Sequence, residues 1–327
     1  MTLLLGATGF LGHNVLELLL RQGRKVRCIV REGSSIDSAI LSQAAEGQLD
    51  IVVGSVLDDA VLERCIHGCN EVVNCTGITD MSLSKIEDYR PVNSELPLRL
   101  ATLLNSTSGG TLVNVSTANT VEPGPAEHPS NEDTPFGGTF SASLYARSKR
   151  EGEKALLDFA RTHYQTRIVI ILPGFMVGPY DRKPSSGKLL VTAYREPVMA
   201  VPQGGKCFVD VRDVAAAVLG ALNNPLAQGR YLTTGKSLTL KEFYAFQAKV
   251  CGYKQSCFII PRRLCLAVGK VGDWLEGKGK SNLFTSRNIR QLLVEEYYDD
   301  SRARKDLGMP CTPLETSIKD FFGYNES

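Results

Sequence analysis

The sequence predicts an α/β fold, a Rossmann doubly wound parallel sheet with a smaller, mostly helical and discontinuous C-terminal substrate domain. Three observations predict it. Short apolar runs alternate with longer segments of helical spacing through the first half of the chain, the pattern of parallel βαβ units. A glycine-rich turn, Gly6-Ala7-Thr8-Gly9-Phe10-Leu11-Gly12, follows the first apolar run and opens a helical pattern. After Leu172, prolines and glycines crowd together and periodicity lapses before helical patterns resume.

In chain order, strands are expected at residues 3–5, 25–30, 50–53, 71–75, 111–116 and 167–172, each a short apolar run bounded by turn formers. Helices are expected over residues 10–21 and 96–104, whose apolar positions recur three or four apart. The proline- and glycine-rich stretch 173–205 reads as loops over a site. A helix over 211–222 and a strand over 230–233 return to the sheet. Residues 1–173 with 206–235 are therefore expected to form a dinucleotide-binding domain, and 174–205 with 236–327 a substrate-binding domain.

The 327 residues are 43% hydrophobic and 22% charged, which excludes a disordered or fibrous chain. Lys plus Arg (37) nearly balance Asp plus Glu (35), so there is no electrostatic footprint for nucleic acid, and the expected partner is a small-molecule substrate. Met1 to Leu5 runs straight into the glycine turn, leaving no room for a leader, and no apolar stretch approaches the ~18 residues of a transmembrane span. A cytoplasmic protein is expected, with peripheral membrane contact and a homodimer left open. Nine cysteines in such a chain suggest buried thiols rather than a disulfide framework. Cys65-Ile66-His67-Gly68-Cys69 offers too few ligands for a closed site, so no metal is expected.

The glycine turn carries the cofactor expectation. Glycines let the backbone approach a pyrophosphate, whose charge is favoured by the free N–H groups and dipole of the helix that follows. A free ribose 2′-hydroxyl is usually met by an acidic residue after the second strand; Arg31 stands there, with Ser34 and Ser35 close by. A guanidinium suits a 2′-phosphate, which favours NADP(H), while Glu32 keeps NAD(H) open.

Tyr145-Ala146-Arg147-Ser148-Lys149 places a phenol and an ammonium one helical turn apart. The ammonium is expected to draw the phenol pKa down toward working pH, so that Tyr145 exchanges a proton with a carbonyl or hydroxyl oxygen. Ser116-Thr117-Ala118-Asn119-Thr120-Val121 ends a strand, where a hydroxyl lies at the carboxyl edge of the sheet.

With these elements the chain resembles the extended short-chain dehydrogenase/reductases, from residue 2 to about residue 320. The resemblance rests on Gly6, Gly9 and Gly12, on Asn93, on the hydroxyls after the fifth strand, and on Tyr145 with Lys149. Leu172-Pro173-Gly174 through Gly178-Pro179 and Phe208-Val209-Asp210-Val211-Arg212-Asp213-Val214 complete it. It implies Thr117, rather than Ser116, as the group polarising the substrate oxygen, Tyr145 as acid/base, and Lys149 as a second anchor for the nicotinamide ribose. It also implies cofactor contacts by Thr8, Phe10, Leu11, Ser55, Val56, Thr76, Gly77 and Pro173. Gly54-Ser55 departs from the family's usual Gly-Asp, Asn74-Cys75-Thr76-Gly77 from its small-residue run, and Leu172 from a common arginine.

Dehydratases of this kind carry an Asp-Glu pair after the catalytic threonine; Ala118 and Asn119 stand here, which argues against dehydration. The 116–121 run is most similar to the dihydroflavonol reductase and 3β-hydroxysteroid dehydrogenase-like branch, implying reduction of an apolar ketone. Val177 to Ser185 resembles a branch of sugar epimerases, and an NAD(P)-dependent nucleotide-sugar epimerase is the competing expectation. For a diphosphate the sequence offers Lys206, with Arg182 and Lys183 further back. The run Leu264, Val268, Val271, Leu275, with Trp274, reads first as core packing of the small domain and second as a greasy wall or membrane contact.

Overall fold

The computed structural model describes residues 1–107, 109–181, 187–278 and 284–325. The first half runs β1 (Thr2–Leu5), α1 (Phe10–Arg21), β2 (Val26–Val30), the single turn α2 (Ser38–Leu41), β3 (Leu49–Val53), α3 (Asp59–Ile66), β4 (Glu71–Asn74), α4 (Leu96–Thr107), β5 (Gly110–Val115), α5 (Leu144–Ala160) and β6 (Thr166–Pro173). Then come β7 (Phe175–Val177), α6 (Gly187–Ala193), β8 (Val198–Val201), β9 (Gly205–Asp210), α7 (Val211–Asn223), β10 (Gly229–Thr233), β11 (Lys236–Thr239), α8 (Leu240–Val250) and β12 (Ser256–Ile259). The chain closes with α9 (Arg262–Gly277), α10 (Ser286–Gln291), α11 (Ser301–Leu307) and α12 (Leu314–Asn325).

Seven parallel strands form the main sheet in the order β3-β2-β1-β4-β5-β6-β10. The doubly wound parallel sheet expected from the sequence is present. Such a sheet is buried on both faces, and the strands are correspondingly apolar throughout: Leu3, Leu4 and Leu5 are all inaccessible. Leu4, Cys28 and Val113 join one core with Val15 and Leu19 of α1 and Val214 and Val218 of α7. Leu3, Leu5 and Leu112 join the other with Leu62 of α3, Leu100 of α4 and Leu156 of α5. The winding reverses between β1 and β4, which opens a crevice at their carboxyl ends.

The stretch read as loops contains β7, α6 and β8. Its described prolines and glycines sit at the ends of these short elements and mask their period. β9 pairs with β7 in parallel and with β11 antiparallel, so it belongs to the small sheet, and the chain returns to the large one with α7 and β10. Asp210 makes the joint. It caps α7 through the Arg212 amide, pairs with the Arg212 guanidinium and accepts from Ser317 of α12. Phe208 stacks on Phe243 with ring centroids 4.0 Å apart, at the centre of the small core. Tyr298, Ala303, Leu307 and Met309 pack back into the cores of the large sheet.

The run over α9 departs from its first reading. Cys265, Gly269 and Gly272 face inward, while Leu264, Val268, Val271 and Trp274 are exposed. The cause is close backbone approach: a Cβ on Gly272 would stand 1.9 Å from the Phe284 carbonyl oxygen, so the small-residue face is the one that packs. Among the described residues no helix is long and apolar enough to cross a membrane.

Candidate active site

The glycine turn leaves β1 with Gly6 at φ +80°, a conformation open to glycine, and a Cβ there would press on the Cys75 carbonyl carbon at 2.9 Å. Gly12 is more constrained still: its Cβ would lie 1.9 Å from the Gly6 carbonyl oxygen. Gly9 caps α1 in an extended conformation with no side-chain hydrogen bond, and no acidic residue stands in the first turn. The helix thus presents bare amides at a bare turn, and these residues fit a dinucleotide pyrophosphate. Thr8, Phe10 and Leu11 lie within the same turn.

Behind the turn, His13 Nδ1 donates to the Gly9 carbonyl at 3.0 Å and its Nε2 accepts from the Asp37 amide at 3.3 Å. Both bonds are met by neutral histidine. Arg31 follows β2 and begins a tight turn closed by Ser34 N–H to its carbonyl at 3.0 Å, with Gly33 at φ +74°. Its side chain is exposed, and among the described residues no carboxylate pairs with it. Ser55 and Val56 come next to it across the sheet, since β2 and β3 pair Val30 with Val53. The Ser55 hydroxyl accepts from the Leu57 amide at 3.1 Å.

Thr76 and Gly77 continue from β4. Lys149 reaches them from α5, donating to the Thr76 carbonyl at 3.2 Å and the Val115 carbonyl at 3.0 Å. A Cβ on Gly77 would sit 2.9 Å from its Nζ. Asn93 fixes this segment, accepting from Ile78 N–H at 2.9 Å and donating to Ser148 Oγ at 3.0 Å. It lies in one π-helical turn, Pro91–Glu95, against which Gly152 packs with room for no Cβ. Pro173 ends β6 beside Thr233.

The hydroxyls after β5 divide. Ser116 is turned inward and donates to Glu153, whereas Thr117 caps the turn Ala118–Thr120 with its hydroxyl close to the Tyr145 phenol. The structure therefore brings Thr117, Tyr145 and Lys149 to one place, beside the glycine turn's neighbour Cys75.

Their electrostatics differ from the simple expectation. Burial pushes the Tyr145 phenol up to about 12; the neighbouring Thr117 hydroxyl opposes this and the Glu153 charge adds to it. Burial also draws Lys149 down to about 8, against the opposing pull of Glu153 and Cys75. Burial, rather than the Lys149 ammonium, dominates the shift at Tyr145, while Lys149 donates to two backbone carbonyls.

Glu153, one turn beyond Lys149, was not singled out from the sequence. It is fully buried, and its Oε2 lies 3.0 Å from Arg230 Nε and 3.2 Å from Arg150 Nη1. Arg230 also donates to the Glu132 and Thr120 carbonyls at 2.7 and 3.2 Å, and the Glu132 carboxylate accepts from the Leu232 amide at 2.8 Å. The i,i+4 relation to Lys149 was the available signal; partners so remote in sequence gave none. Cys65 on α3 and Cys69 just beyond it are buried thiols, and Cys69 Sγ donates to the Cys65 carbonyl at 3.4 Å. Arg182 and Lys183 lie outside the described residues.

A doubly wound sheet with a glycine turn and a Thr-Tyr-Lys cluster at its switch point defines an NAD(P)-dependent oxidoreductase of the extended short-chain type. Residues 2–232 match the NAD dependent epimerase/dehydratase family, and the chain belongs to it. It is 27% identical over 329 residues to "Sterol demethylase protein B" of Methylococcus capsulatus, covering 98% of this chain and 96% of the relative. It is 24% identical over 324 residues to "4-hydroxy-2-methyl-3-oxo-4-farnesyl-3,4-dihydroquinoline-1-oxide ketoreductase" of Stigmatella aurantiaca, covering 94% and 91%. The crystal structure of UDP-glucose 4-epimerase from Thermotoga maritima matches with a TM-score of 0.76 at 18% identity, covering 100% of this chain and 99% of that one.

Proposed function

We propose that the chain reduces an apolar ketone, such as a long-chain 3-keto lipid or a sterol-like ketone, to a secondary alcohol with NADPH. The nicotinamide, when bound, supplies the hydride. Thr117 and Tyr145 hydrogen-bond the substrate oxygen, and Tyr145 gives it a proton as negative charge develops there. Lys149 holds the ribose while its own bonds to Thr76 and Val115 fix its position. A phenol pushed up to about 12 holds its proton at neutral pH, which suits donation to a ketone better than removal of a proton from an alcohol.

The observation that carries the substrate class is the pairing of Lys206. A nucleotide sugar needs a cation for its diphosphate, and Lys206 instead engages the buried carboxylate of Glu296. Arg287, on the neighbouring α10, is likewise bound through two nitrogens to Glu276. The names of the sterol-related and farnesyl-quinoline relatives support an apolar substrate. In a homologous series of alkyl ketones, KM is expected to fall by roughly fourfold for each added methylene until the pocket is filled, about 0.8 kcal/mol apiece. A flat series contradicts an apolar wall.

Arg31 supports NADPH over NADH. Arg31→Asp is expected to weaken NADPH binding by about thirtyfold, roughly 2 kcal/mol for one charge-assisted contact, with a smaller effect on NADH. Calorimetric titration of both cofactors checks this; equal NADPH affinity in the two proteins contradicts the assignment.

A further inference from the structure

The exposed face of α9 is apolar along its length. At about 100° per residue, Leu264, Val268 and Val271 fall within about 60° of arc, and Val271 and Trp274 are 58% and 59% exposed. Phe258 and Ile259 of β12, exposed as well, lead directly into the same helix. The charges on α9 are sorted. Its acids lie off the apolar stripe: Asp273, exposed but about 180° round the helix from Leu264, accepts from the Ser286 amide at 2.8 Å, and Glu276 accepts from Arg287. Its cations flank the stripe: Arg263 and Lys270 are exposed with no carboxylate partner among the described residues, and the Lys278 ammonium stands 3.7 Å over the Trp274 ring.

We infer that this face docks on an anionic lipid surface, with the apolar stripe seated at the headgroup boundary and the cations on the lipid charge. Apolar residues flanked by long basic side chains and an edge tryptophan match that interface. A second copy of the chain fits poorly, because a symmetric contact sets like charges together with no acid on the face to answer them. Behind this face, α10 ties the helix to the segment that continues from Gly77: Arg287 and Asn288 donate to the Leu83 and Met81 carbonyls. Docking stands independently of the reductase reading.

Trp274 is the chain's only tryptophan and reports on the face directly. Its emission is expected to shift to the blue when phosphatidylcholine vesicles containing about one third phosphatidylglycerol are added, with cosedimentation of the protein and a weaker response to phosphatidylcholine alone. Val271→Asp is expected to weaken binding about tenfold or more, and Arg263→Glu with Lys270→Glu to remove the preference for anionic vesicles. These positions are exposed, and circular dichroism of each variant is expected to match the wild type. Absence of vesicle binding by the wild type overturns the inference, as does binding that Val271→Asp leaves unchanged. A concentration-dependent dimer that Val271→Asp dissolves, without vesicle binding, overturns it in favour of a second copy.

Discussion

Tyr145→Phe is expected to lower kcat by about 10²–10⁴-fold, the span of a positioned general acid, while NADPH binds almost as in the wild type. The ring remains to fill its place in the crevice; only the proton and one hydrogen bond to the substrate oxygen are removed. Burial holds this phenol protonated, and the Thr117 hydroxyl lies beside it. Single-turnover kinetics on the cofactor-loaded enzyme separate the chemical step from binding. A near-wild-type rate contradicts Tyr145 as the acid and moves attention to Thr117.

Glu153→Ala is expected to cost about 3–5 kcal/mol of folding stability, because it leaves the Arg230 guanidinium buried without its carboxylate. It also strips Ser116 of its acceptor directly beneath Thr117. Glu153→Gln keeps an acceptor for Ser116 and is expected to lose less. Urea unfolding of the three proteins measures this, and a loss below about 1 kcal/mol for Glu153→Ala contradicts a buried charge network behind the site.

What the sequence revealed and what it concealed follow from the range of the interactions. The glycine turn and the Tyr145-Lys149 pair are local: a strand, a turn and one helical repeat suffice to place Gly6, Gly12, Tyr145 and Lys149. The strands of the large sheet were legible because burial on both faces leaves continuous apolar runs. The Glu153-Arg230-Glu132 network was not, since three remote segments meet only after the sheet has formed. Periodicity identified the residues sharing a face of α9 but could not say which way that face points; Gly269 and Gly272 decide it by admitting the backbone of residues 284–286. The raised Tyr145 and lowered Lys149 arise from burial, which a four-residue spacing does not reveal.

Substrate chemistry divides the account most sharply from its rival. Purified protein is supplied with NADPH and a hydrophobic ketone, and separately with UDP-sugars, while cofactor and product are followed together. One NADPH is expected to be oxidised for each secondary alcohol formed, with no sugar interconverted. Interconversion of UDP-sugars without net use of the bound cofactor, together with no turnover of any ketone, would contradict it.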